Sequence, residues 1–274
     1  MKLAFSTLGC PEWTFDQALD NARGMGYQAI ELRGVDGELR PDAIRAFRPE
    51  NRPESLRKIR EHGLTISDFG SSASFYEGNM EAALAEGHAS VDLCAALGIP
   101  AVRVFGGRPA EGDTLEKQVR FVAEGVNALC EYAKPTGVEI WLEVHGWYNT
   151  AERILAVASQ VRHDGFGIIW DVEHSDEADK GDFLSFYEPV KHLIRHVHVK
   201  DHKRLPDGAF RLCSVGEGDI PLREMVERLE KDGFGGCYSL EWEKKWHPEL
   251  PAPEEEFPSY IKYMNGLASR LKIR

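Results

Sequence analysis

The segment 195–202, RHVHVKDH, interleaves two valines with two histidines and a lysine. A strand sends alternate side chains to opposite faces. Val197 and Val199 therefore share an apolar face, while His196, His198 and Lys200 line the other. Imidazoles held on one face of a buried strand bind metals or move protons. Three other apolar runs place similar groups near their ends. VEIWLEVHG from 138 carries Glu143 and then His145, FGIIWDVEH from 166 carries Asp171 and then His174, and CYSLEWE from 237 carries Glu241. Three ionised carboxylates meeting in one buried space would repel one another and retain protons, and burying a single unpaired one is already costly. A divalent cation removes both penalties. The expected ligands are Glu143, Asp171, His198 and Glu241, an oxygen-rich set that suits one Mn²⁺, Mg²⁺ or Co²⁺ and also accommodates Zn²⁺. His196 lies one pleat deeper and is expected to support the ligands. Lys200, at the rim, either contacts substrate or pairs with a carboxylate.

These groups need strands whose ends converge. Eight strand-like runs begin near residues 2, 29, 64, 101, 138, 166, 194 and 237, alternating with segments of helical spacing such as FDQALDNARGMG and LEKQVRFVAEGVNALCEYAK. Thr14 with Gln17, and Asn149 with Glu152, have capping-box spacing, and Asp113 or Thr114 is placed to cap the helix after it. No linker interrupts the pattern, so residues 1–274 read as a single-domain α/β protein, a (β/α)8 TIM barrel. A doubly wound open sheet is the competing arrangement, but no glycine-rich phosphate loop follows the first strand.

Composition narrows the function classes. The net charge of −12 argues against nucleic acid as a partner. The start, MKLAFSTLGCPEW, lacks the pattern of a signal peptide or membrane span. Five scattered cysteines with no CxxC pair read as reduced cytoplasmic thiols. At 215–219, VGEGD leads into a helix start, but Glu217 and Asp219 would repel a phosphate there, which favours a neutral sugar.

From the STLG…W opening through GYQAIELR to SLEWE, the chain resembles the xylose-isomerase-like barrel superfamily of sugar isomerases and epimerases. The resemblance is most specific in LEVHG, WDVEH, HVHVKD and LEWE. It implies that Glu143, Asp171, His198 and Glu241 hold one metal, and that Glu143 and Glu241 also move protons, through an enediolate. It further implies that His174 and Arg204 contact substrate, and that homo-oligomers are common, although no surface stripe here signals one. Endonuclease IV belongs to the same superfamily, but its additional His and Asp ligands are missing: Phe210 and Leu212 stand where an Asp-x-His pair would be. In the loops, His145, Trp246 and His247 fall on the side where a carbohydrate would bind. The expected activity is isomerisation or epimerisation of a keto sugar or related polyol. Elimination, as in inosose dehydratases, and non-catalytic sugar or metal binding are the alternatives.

Overall fold

The computed structural model describes residues 1–110 and 112–273. Seven strands come in succession: β1 (Lys2–Ser6), β2 (Ala29–Leu32), β3 (Thr65–Phe75), β4 (Ala101–Gly106), β5 (Glu139–Glu143), β6 (Phe166–Asp171) and β7 (Ile194–Val199). A hairpin of β8 (Asp201–Arg204) and β9 (Phe210–Cys213) precedes β10 (Cys237–Leu240). Around the wall the order is β1, β10, β7, β6, β5, β4, β3, β2, every pairing is parallel, and β1 closes the ring by pairing with both β10 and β2. This is the (β/α)8 barrel read from the alternating pattern, and its closure excludes the open sheet.

The helices α1 (Phe15–Met25), α2 (Arg52–Glu61), α3 (Met80–Leu97), α4 (Leu115–Ala133), α5 (Ala151–Ala158), α6 (Val172–Asp179), α7 (Phe183–Val190), α8 (Leu222–Lys231) and α9 (Pro253–Leu271) lie between the strands in sequence. Strand alternation divides the apolar residues. Leu3 and Phe5 join the main core between barrel and helices, where the Phe5 ring lies 4.5 Å from that of Phe257 on α9 and 4.9 Å from Tyr27. Ala4 faces the other way and forms a small separate cluster with Ala29 and Cys237, as Ala101 does with Trp141 and Ile169. These clusters fill the lower lumen. The polar residues one pleat further along each strand are thereby lifted to the carboxyl-end mouth.

Local signals decide the helix starts. Thr14 and Gln17 form the expected capping box, and Gly26, with φ of 90°, ends α1. The box expected from Asn149 and Glu152 does not form. A 3₁₀ turn takes residues Gly146–Tyr148, which leaves Asn149 outside the extended conformation that an N-cap requires. Thr114 rather than Asp113 caps α4, accepting from the Lys117 backbone N–H at 3.2 Å.

The strand ends also depart from the expected runs, with consequences for the site. β6 stops at Asp171 and the chain turns helical, so His174 stands on the first turn of α6 rather than along the strand. Glu241 lies just past the end of β10. Arg204 closes strand β8 of the hairpin. β3 runs on to Phe75, with irregular pairing between Gly70 and Ser74.

Candidate metal centre

Register brings the expected ligands level with one another. Asp171 is the cross-strand partner of His198, which is flanked on its other side by Ser239, and Glu143 ends β5 beside Phe105. One ligand atom from each of Glu143, Asp171, His198 and Glu241 lies within 4.8 Å of all the others, and all four residues are buried. His198 Nδ1 is 3.2 Å from Glu241, 3.6 Å from Asp171 and 3.9 Å from Glu143.

Each ligand is held from behind. Asp171 Oδ1 caps α6 by accepting from the Glu173 and His174 backbone N–H groups at 2.9 and 3.1 Å, while Oδ2 faces the ring. Arg103 donates to Glu143 Oε2 at 2.5 Å, leaving Oε1 towards His198. Glu31 Oε2 lies 3.1 Å from His198 Nε2 and 3.0 Å from His196 Nε2, so one buried carboxylate backs both imidazoles. This is the arrangement in which a carboxylate fixes the orientation of a metal-binding histidine. Both His196 and His198 hold Glu31 well below the usual carboxylate range despite its burial. Burial and the nearby Glu31 push Asp68, beneath His196, up to about 6. The donor chemistry, three carboxylates and one imidazole gathered in one buried space, fits a divalent cation.

Lys200 is buried rather than open at the rim. Its ammonium lies 2.9 Å from Asp171, 2.7 Å from Glu241 and 2.6 Å from Glu243. Burial opposes its charge, yet these carboxylates raise its pKa well above that of a free lysine. Likewise burial disfavours ionised Glu241, but His198 and Lys200 hold it well below its ordinary range.

Above the ring, the imidazoles of His145 and His174 meet edge to face at 4.2 Å. Burial pulls His145 down, whereas Asp171 pushes His174 up to about 9 against the effect of burial. Two adjacent imidazoles biased in opposite directions offer one neutral and one charged ring to a bound molecule. His145 lines an open cleft with Ser74, Phe105, Arg108, Pro109 and Trp147.

The other residues expected at the substrate lie further out. Arg204 is committed to Asp176, which also accepts from His202 Nε2 at 2.9 Å. Trp246 is 53% exposed, with Lys245 over its ring. His247 sits between Glu243 and Glu249 at 3.6 and 3.2 Å. The backbone amides of the 215–219 turn are already engaged: Gly216 and Gly218 each donate to Asp201 Oδ2 at 2.9 Å.

Glu31, Arg103, Asp68 and Arg33 were absent from the expected site. The first two were accessible to the alternation rule applied to β7, since Ile30 and Leu32 flank Glu31, and Val102 and Val104 flank Arg103.

A closed barrel with buried carboxylates and imidazole gathered at the carboxyl ends of its strands has residues that could hold a metal ion. The chain belongs to the xylose isomerase-like TIM barrel family, whose model matches residues 19–264. It is 28% identical over 170 residues to an inosose dehydratase of Serratia proteamaculans, covering 53% of this chain and 55% of that protein. It is 26% identical over 126 residues to a fructoselysine 3-epimerase of Escherichia coli O157:H7, covering 44% of each. The matches thus span about half the length of these relatives. Among solved structures, the IolI protein with a bound zinc atom superposes with a TM-score of 0.81 at 20% identity, covering 98% of this chain and 99% of that one. No helix among the described residues is long and apolar enough to cross a membrane.

Proposed function

We propose that the protein is a divalent-metal-dependent isomerase or epimerase of a keto sugar or related polyol. The observation that carries this reading is the buried convergence of Glu143, Asp171, His198 and Glu241, with two glutamates among the four. A barrel that only bound a sugar or a metal would not require two glutamates facing one another at the candidate reaction centre. The oxygen-rich set suits Mn²⁺, Mg²⁺ or Co²⁺, and the zinc of the IolI structure keeps Zn²⁺ in the set. When bound, such an ion supplies Lewis acidity towards a carbonyl oxygen.

The chain's own groups do the remainder. Arg103 fixes one oxygen of Glu143 and leaves the other for the substrate side. Glu241 exchanges contact with the Lys200 ammonium at 2.7 Å. One glutamate removes the proton beside the carbonyl and the other returns a proton from the opposite face. His145 and His174 bind hydroxyls above them. The partner in this reading is a small carbohydrate in the cytoplasm, rather than nucleic acid or a membrane. The 3-epimerase relative supports it.

Lys200 favours a second reading. A buried ammonium beside Glu241 places positive charge where a departing hydroxyl would develop negative charge, which an inosose-dehydratase-like elimination requires. NMR of keto sugars and inososes in D₂O with Mn²⁺-loaded protein separates the two. Deuterium at the α-carbon of an epimerised or isomerised product supports the first; an unsaturated product supports elimination. No exchange and no product across the panel refutes both.

A further inference from the structure

Among the described residues, the buried cations around the ligand ring are matched to carboxylates, with one exception. Arg103 contacts Glu143, Lys200 contacts three acids, and His196 contacts Glu31. Arg33, at the mouth end of β2, is 8% exposed and has no carboxylate partner. Its Nη2 donates to Ser72 Oγ at 3.0 Å, and its buried Nη1 has no hydrogen-bond partner.

Gly70 explains how the group comes to lie there. A Cβ at that position would stand 2.8 Å from Arg33 Cδ and 2.9 Å from Arg103 Nη2, so both arginines pack against the same bare backbone. Arg103 reaches onward from this point to Glu143. Two like charges are thus buried side by side beside the candidate metal centre, and only one has an anion. Burial and Arg103 pull the Arg33 guanidinium down to about 10, although Glu143, Glu241 and Glu86 act from further off in the other direction.

A hydroxyl would satisfy the free N–H but bring no anion into contact with the guanidinium. An anion does both, and an ionic hydrogen bond to guanidinium is the stronger kind. We propose that the substrate carries a carboxylate and that Arg33, held by Ser72, receives it. That the same bound molecule also reacts at the candidate metal centre rests on the isomerase reading above. A single guanidinium with one free amino group matches a monoanion better than a phosphate dianion, and the backbone amides at 216 and 218 are already taken by Asp201. This departs from the neutral sugar expected from Glu217 and Asp219, whose turn lies elsewhere on the barrel mouth.

Calorimetry of Mn²⁺-loaded protein with D-fructose, D-fructuronate and D-fructose 6-phosphate compares three C6 groups on one skeleton; the corresponding D-tagatose set supplies the C4 epimers. The carboxylate is expected to bind about tenfold or more tightly than the neutral ketose. Arg33→Gln should erase that preference, and Arg33→Lys should retain part of it, with circular dichroism showing that both variants are folded. Equal affinities, tighter binding of the phosphate, no binding of either uronate, or a preference that survives Arg33→Gln would each overturn the proposal. The two readings fail separately. Deuterium exchange into neutral ketoses, unchanged in Arg33→Gln and with no uronate preference, sinks the carboxylate site and spares the isomerase. Arg33-dependent uronate binding without exchange in any ketose does the reverse.

Discussion

Replacing Lys200 with methionine removes a charge while keeping most of its volume, and tests whether the acids around it form a cation site. The ammonium contacts three carboxylates at 2.6 to 2.9 Å. One such contact is worth roughly 6 kcal/mol at an effective dielectric constant of about 20, but burying the lysine costs several kcal/mol in return. Removing one member of a buried ionic cluster costs about 3–5 kcal/mol. For 274 residues, the unfolding entropy converts about 4 kcal/mol into a fall in Tm of roughly 7 °C. That loss should appear in metal-free protein. If a divalent ion neutralises the same oxygens, the deficit in loaded protein should shrink to about 1 kcal/mol. The difference, about 3 kcal/mol, must then emerge as roughly hundredfold tighter metal binding. Differential scanning calorimetry with and without Mn²⁺, paired with Mn²⁺ titration, measures both quantities. Equal metal affinities in the two proteins, or a Tm deficit that Mn²⁺ leaves unchanged, would refute the reasoning.

Glu31→Gln should weaken metal binding by about 10- to 100-fold while the barrel stays folded, because it removes the anion behind His198 Nε2; elemental analysis after dialysis checks this. Glu143→Gln and Glu241→Gln should each lower kcat by about 10²- to 10⁴-fold, and normal turnover by either variant would refute its proton-transfer role. His198→Ala should lower metal occupancy, read by the same elemental analysis. His202 is raised to about 9, against burial, by Asp176 and Glu173. Its folded value exceeds its unfolded one, so its contribution is complete below about pH 6.5 and is lost as pH rises through about 9. Denaturant titrations of His202→Gln should therefore lack a decline on the order of 2 kcal/mol that the parent shows across that window.

The barrel was legible because its signals are local and repeated. Apolar runs of strand length alternate with capped amphipathic helices, and each pair reports the same unit. The convergence of these four side chains was legible for a related reason: strand alternation together with the late position of Glu143, Asp171, His198 and Glu241 requires them to share one end of the lumen. The groups behind the ring were harder to find. Glu31 and Arg103 obey the same alternation but sit in strands without a histidine to draw notice. Glu243 meets Lys200 only because the chain turns after Leu240, and Arg33 matters through a glycine on the neighbouring strand. Such contacts depend on where backbones end and bend, which periodicity does not encode. Asn149 failed as a cap for the same reason, since a 3₁₀ turn upstream changed its backbone.

Asp171 has two employments at once. One oxygen fastens the first turn of α6 while the other faces His198 and Lys200 in the candidate metal centre. A substitution there would fray a helix as well as remove a proposed ligand, so a dead variant at 171 says little about chemistry by itself. Glu241, just beyond its strand, caps no helix, but it is tied to the Lys200 ammonium at 2.7 Å, so a change there unbalances charge rather than backbone.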